Sequence, residues 1–391
     1  MGFGIWDLGF EDAGNGYAAA VGSIFALSIH ADYRCRQSGA CCTSEWDVPV
    51  ELAVYRNLDE ALRGGSLLPA AGGAATPLIT DDVPDGDAAM VARTTTGDCV
   101  FYHRHSGLCA IHRDLGEPQL PSACRHFPRL AVRDARGTFI SLTHYCPTAA
   151  SMLFEGDRAL EIVEWPAAFP AAEYDGLIVE PGAWPPLLHP RMLMNLDGYT
   201  AWERHMVARC AEPSATPESV IATLARDARR LRLFVPGEVP LTTAIAALPR
   251  YPVASASPAT LEDSLAHHAD VMAAVPDELK PAPDVAGLED SFAQRVAPEW
   301  ARWHAPLTRY LAARAFASRT AYQGRGILSI VRGLDAALAL VRVEAARQCR
   351  DAGRVLDAAL LREAIRGADF ALNHLAVGED LATAWSRVED F

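Results

Sequence analysis

The sequence predicts a mainly α fold, with a small α+β cysteine-rich metal-binding domain near its start and a helical C-terminal domain. Three observations carry this. Seven of the nine cysteines, Cys35, Cys41, Cys42, Cys99, Cys109, Cys124 and Cys146, fall in the first 146 residues, while Cys210 and Cys349 stand alone as small core residues. Beyond residue 150, apolar side chains recur at helical spacing, as in Ile327, Val331, Leu334 and Leu338. Pro-rich segments at Trp184-Pro-Pro186, 252–258 and 276–283 separate those stretches. A chain of 391 residues exceeds one ordinary core. We therefore expect an N-terminal helical segment (1–30), a cysteine-cluster metal-binding domain (31–150) and a mostly helical domain (151–391).

In chain order, the apolar run Tyr17–Ile29 reads as a buried helix. It follows Glu11 and Asp12 with no basic residue before Arg34, which does not fit an export signal, and it is too short to span a bilayer. A helix is expected over Val50–Leu62, then a Gly-, Ala-, Pro- and Asp-rich surface loop over Arg63–Asp87. Cys99-Val-Phe-Tyr102 reads as a short strand, and the turn His105-Ser-Gly107 brings Cys109 back towards it. Arg129–Arg133 and Thr138–Thr143 alternate around Asp134-Ala-Arg-Gly137, the pattern of a β-hairpin. Helices are then expected over Asp197–Cys210, Ser219–Leu233, Leu307–Ser318, Ile327–Cys349 and Ala358–Leu375.

The formal charge of −14 argues against nucleic acid as a partner, because phosphate contacts need surplus cations. Lys280 is the only lysine. Without an export signal the expected compartment is the reducing cytoplasm, where dense cysteine means metal or catalysis before disulfides. Membrane insertion is not expected.

Thiolates hold zinc or iron–sulfur clusters, four at a time. The spacing is Cys35-x5-Cys41-Cys42, then Cys99-x9-Cys109-x14-Cys124-x21-Cys146. Seven thiols exceed four ligands, so either one cluster has spare thiols or two sites adjoin. If locally extended, Cys41 and Cys42 point to opposite sides and do not readily serve one metal atom. No Cys-x2–4-Cys pair of the zinc type occurs, which favours iron–sulfur over zinc. From Cys99 to Arg136, six arginines (104, 113, 125, 129, 133 and 136) face three acids, a local surplus that lowers thiol pKa. His112 and His126 are the best histidine alternatives as ligands among His103, His105, His112, His126 and His144. Asp98 and Asp114 lie near the cysteines, and neither is assigned as a base. The glycine pairs Gly14-Asn-Gly16 and Gly324-Arg-Gly326 follow no strand of a nucleotide-binding sheet and read as loops.

The arrangement resembles the bacterial family of zinc- or iron-chelating cysteine-cluster domains. The residues that carry the likeness are Tyr33-Arg-Cys35-Arg-Gln-Ser38-Gly39-Ala-Cys41-Cys42, then Cys99, Cys109-Ala-Ile-His112, Pro121-Ser-Ala-Cys124-Arg-His-Phe127-Pro128 and Cys146-Pro147. Ser38 stands where the family often has a further cysteine, and Leu120 where it often has arginine. The long form, with Trp46 soon after the cysteine pair and a helical C-terminal region, looks like flagellin lysine-N-methylase. That resemblance implies a [4Fe–4S] cluster, S-adenosylmethionine as methyl donor, and a protein substrate such as flagellin. Arg113 and Arg125 are then candidates to pair with the carboxylate of S-adenosylmethionine. The alternatives are a non-catalytic zinc or iron–sulfur module that binds a partner, and a redox or metal-handling protein.

Overall fold

The computed structural model describes residues 23–44, 46–70, 76–156, 158–165, 176–180, 182–249 and 260–386. Helices take about half of these residues, accompanied by small sheets, and the C-terminal region is helical. Val48, Val50, Leu58, Val91, Phe101 and Ile111 centre a small core that also includes Cys42 and Cys99. The larger core runs from Leu27 to Trp385 and contains Cys210 and Cys349, as expected of small buried residues.

Its axis is the helix Ile327–Ala352, whose alanines Ala336, Ala337, Ala345 and Ala346 are all buried. Such small side chains let neighbouring helices approach closely. Ala358–Phe370, Leu261–Ala273 and Pro217–Leu231 pack around it. Gly326, just before this helix, has φ 133°, and a Cβ there would lie 2.9 Å from the His189 backbone, so the turn requires glycine. The other glycine pair, at residues 14 and 16, lies outside the described residues.

A five-stranded mixed sheet runs in the order Gly176–Ile178, Arg129–Asp134, Gly137–Leu142, Ile24–Leu27, Ile162–Glu164. The expected hairpin is its centre, with Asp134 opposite Gly137 at the turn. The first of these strands by sequence corrects the N-terminal expectation. Ile24–Leu27 is a strand parallel to Gly137–Leu142, not the end of a helix, while residues 17–22 lie outside the described residues. β-branched and aromatic residues on a short apolar run serve a buried strand equally well, and long-range pairing decides. The sheet also crosses the boundaries expected near residues 30 and 150, since strands from all three segments pair in it.

Arg136 fixes the hairpin tip to the helices. Its guanidinium donates to Asp134 Oδ2 at 2.8 Å and to Glu203 Oε2 at 3.0 Å, and lies over the rings of Phe139 and Tyr199. Glu203 Oε1 also accepts from the Ala317 N–H at 3.0 Å. Burial raises the Glu203 pKa against the pull of Arg136. A second buried chain joins Ser28–His30 country to the last long helix: His30 Nε2 and His144 Nε2 are 3.2 Å apart, and Asp369 Oδ2 accepts from the His144 backbone N–H at 2.5 Å. His144 Nδ1 lies 3.1 Å from that same oxygen, and Tyr310 O–H donates to Asp369 Oδ1 at 2.8 Å.

Two predictions follow from these networks. Arg136→Ala leaves Glu203 and Asp134 buried without their cation, so chemical denaturation should show a loss of about 3–5 kcal/mol. The second concerns acid. Burial, then the His144 charge, lowers the His30 pKa well below 6.5, with Asp369 opposing. Hydrogen bonds from His144 hold Asp369 at about 2 against the desolvation of its buried carboxyl. Both folded pKa values lie below their unfolded ones, so the unfolded chain binds more protons in acid and stability falls as pH falls. The His30 part is lost from about pH 6.5 downward and the Asp369 part from about pH 4 towards 2. Denaturation midpoints at pH 8, 6 and 4.5 should decline, and His30→Gln should flatten the pH 7–5 slope, at most about 1.4 kcal/mol per pH unit for one proton.

Candidate functional site

The loop from Tyr33 to Cys42 is folded tightly because two of its residues adopt left-handed backbone, Gln37 at φ 54° and Gly39 at φ 77°. A Cβ on Gly39 would lie 2.6 Å from Tyr102 Oη, so only glycine lets the loop lie against the Tyr102–His103 strand. The chain then makes a single 3-10 turn over Ala40–Cys42. The turn changes the expectation for the vicinal pair. Cys41 and Cys42 are not extended, and their Sγ atoms are 3.9 Å apart on the same side.

Backbone hydrogen bonds bring the next thiols to this turn. The Cys99 N–H donates to the Cys42 carbonyl at 2.8 Å. The hairpin read from His105-Ser-Gly107 pairs Tyr102 with Cys109 and His103 with Leu108, although its strand begins at Tyr102 and Cys99 joins only through a bridge to Arg93. Cys109 precedes the helix Ala110–Leu115, and the N–H groups of Ile111 and His112 hydrogen-bond its sulfur. Cys124 sits in the helix Ser122–His126, whose Ser122 N–H donates to Glu51 Oε1 at 2.8 Å. Cys146 belongs to a separate small apolar cluster with Tyr33, Leu142, Ala149 and Met152, and Tyr33 Oη lies 3.7 Å from its sulfur.

The thiols are electrostatically unequal. Cys42 lies within hydrogen-bond reach of Cys109, Cys41 and Cys99, any one of which can take its single S–H at a time, and these neighbours together with burial raise its pKa. The hydrogen bond from Cys42 lowers the pKa of Cys99, aided by the Phe101 N–H and the Arg93 charge. The same donor, with the two helix N–H groups and Arg113, brings Cys109 down to about 7 despite its burial. Cys124 is raised by burial and by the neighbouring Cys41, Cys99 and Cys109. Cys99 and Cys109 are thus the more acidic members of the group and Cys42 the less acidic one.

All seven cysteines of the cluster line one cavity of about 60 Å³, together with Tyr33, Gly39, His112 and Phe127. A wider groove of about 450 Å³ opens beside it, bordered by Cys35, Cys41 and Cys124 and by the cations Arg34, Arg125 and Arg129, with Glu117 the one acid on its wall. Arg125 is therefore at the site. Arg113 lines neither cavity: it pairs with Asp114 at 2.6 Å and acts only on Cys109. His112 borders both cavities, whereas His126 is buried off their walls. His144 belongs to the Asp369 network, and His103 and His105 line neither cavity. Asp98 is buried and salt-bridged to Arg104 at 2.8 Å through Nη2. Arg34 and Arg93 were not singled out from sequence as site residues, and Tyr33 entered only as the first residue of the cysteine motif. The signal for Arg93 was its place six residues before Cys99 on the returning strand, which becomes readable only once the pairing is known.

Donor chemistry suits a soft metal, since seven sulfurs from separate stretches border one space. The thiols are not closed on a single ion, for among the described residues no three His, Cys, Asp or Glu side chains are arranged to hold one. Comparison with protein families, with curated proteins and with solved structures returns no match.

The pocket depends on the loop lying against Tyr102. Gly39→Ala should therefore cost about 1–2 kcal/mol for the left-handed backbone alone, and more for the ring contact. Thiol titration under native conditions should find more cysteines reactive in this variant than in the parent.

Proposed function

We propose that the protein is a cysteine-cluster metalloprotein that holds an iron–sulfur cluster of the [4Fe–4S] type and acts as an S-adenosylmethionine-dependent protein lysine N-methyltransferase. Its substrate would be a surface protein such as flagellin. The observation that carries the metal reading is the convergence of seven thiols on one cavity, more than a single ion can use. Cys41, Cys99 and Cys109, each close to Cys42, together with Cys42 and the neighbouring Cys124, are the residues that would hold the metal. A cluster with an open iron position would supply a Lewis-acidic site at the edge of the groove. The methyltransferase reading rests on the likeness of the cysteine motifs and is supported by the groove itself. Arg34, Arg125 and Arg129 offer guanidinium groups to a carboxylate next to the thiols, and Glu117 offers an acceptor for an ammonium group. Phe127 and Leu120 give the same groove apolar surface.

A second reading, a zinc-stapled module that binds a partner without catalysis, is favoured by one distance. The 3.9 Å between the Cys41 and Cys42 sulfurs is close to the edge of a tetrahedron built on Zn–S bonds of about 2.3 Å, roughly 3.8 Å. The thiols also lie between two cores, where a metal would contribute folding energy.

Anaerobic purification followed by absorption spectroscopy and iron, sulfide and zinc quantification separates the two readings. The first expects iron and sulfide in equal amounts and a visible absorption band; stoichiometric zinc without sulfide rejects it. Cys42→Ser should lose most of the metal, while Cys35→Ser, at the exposed rim, should retain it. With metal-loaded protein, titration calorimetry should show S-adenosylmethionine binding that weakens about tenfold or more in Arg125→Ala and stays near the parent value in Arg113→Ala. No heat with the loaded protein, or no labelled methyl on a flagellin substrate, removes the enzymatic half of the proposal.

A further inference from the structure

A cavity of about 120 Å³ lies between the sheet hairpin and the C-terminal helices, sharing no lining residue with the thiol cavity. Arg314 and Arg319 both line it, and no aspartate or glutamate does among the described residues. Arg314 is held in place, its Nη1 donating to Asn373 Oδ1 at 2.7 Å and reaching Asp369 Oδ1 at 3.5 Å. Asp369 itself lies behind the wall and is already shared with His144 and Tyr310. Arg319 is exposed at the rim and has no hydrogen bond or ion pair among the described residues. The loss of solvent around its guanidinium, then the Arg314 charge, lowers its pKa.

Two more donors point to a missing acceptor. Because Asn373 must turn Oδ1 to the Arg314 guanidinium, its Nδ2 is the group left over, and that atom is buried without a partner. Trp385 Nε1, from the opposite wall, is also buried without a partner. An unpaired buried donor costs about 1–3 kcal/mol, so two on one cavity, beside Arg319 and an Arg314 whose only carboxylate partner among the described residues is the shared Asp369, are expensive unless an acceptor occupies the space. Leu130, Phe316, Leu372 and Leu381 give the wall an apolar stretch, beside the hydroxyls of Ser141, Ser318 and Thr320 and the amide of Gln323.

We propose that this cavity binds a small organic carboxylate with a short apolar body and no ammonium group. The two oxygens of a carboxylate offer enough lone pairs for a guanidinium, an amide N–H and an indole N–H at once. The leucines and Phe316 cover the hydrocarbon part. An amino acid is selected against, because two arginines border the cavity and, among the described residues, no carboxylate on the wall offsets an added ammonium charge.

Titration calorimetry on the full chain tests this, with sodium butyrate, butyramide, 2-aminobutyrate and inorganic phosphate as probes. Butyrate should bind saturably, with butyramide and 2-aminobutyrate at least about tenfold weaker. Arg319→Gln, at an exposed position that leaves the fold intact by circular dichroism, should weaken butyrate about tenfold or more. Asn373→Leu should weaken it as well. Absence of butyrate binding, or equal binding by Arg319→Gln, overturns the proposal. Phosphate binding tighter than butyrate overturns the apolar-body part of it. The cavity is separate from the thiols, so loss of metal or of methyl transfer leaves this result unaffected.

Discussion

Buried Arg136 is the interaction on which the rest of the molecule depends. It closes the tip of the central hairpin onto Asp134 and, through Glu203, onto the helix Leu196–Cys210. One strand of that hairpin begins just after Phe127, and the other ends shortly before Cys146. Locking the tip therefore fixes the position of Cys146 relative to Cys124, although the two belong to different cores. A charge taken out of water is costly, and here it is offset by two carboxylates and two aromatic faces. The guanidinium is satisfied, and the hairpin is left with one register.

The thiol cavity works on the opposite principle. Its groups differ in proton affinity: the contacts around Cys42, with burial, raise that thiol while Cys99 and Cys109 are lowered. Its sulfurs border one space without closing on a single ion among the described residues. The groove with Arg34, Arg125 and Arg129 gives this centre an approach from solvent and a positive wall within an acidic chain.

Much of this was legible in the sequence, and the limits have physical causes. The alternation around Asp134-Ala-Arg-Gly137 is local, and so the hairpin was readable. The long helices were readable for the same reason, to within a few residues at each end. The strand Ile24–Leu27 was not, because a short apolar run says nothing about its partner, and its partner is Gly137–Leu142. The density of the seven cysteines was readable, and all seven line one cavity. Their hierarchy was hidden, since it depends on the 3-10 turn at Ala40–Cys42 and on backbone N–H groups at Cys109. Arg113 and Arg125 looked equivalent in sequence, each lying soon after a cysteine. Only the fold separates them, by setting Asp114 beside Arg113 and the groove beside Arg125.

The parallel pairing of Ile24 with Thr138 has a consequence for how the protein is made. It joins the two ends of a segment that contains the whole small core, so most of the thiols are enclosed in one long excursion between neighbouring strands. The entropy of closing such a loop rises only slowly with its length, but contacts between distant residues form late. A nascent chain can thus assemble the inner sulfurs, from Cys41 to Cys124, before the sheet zips shut.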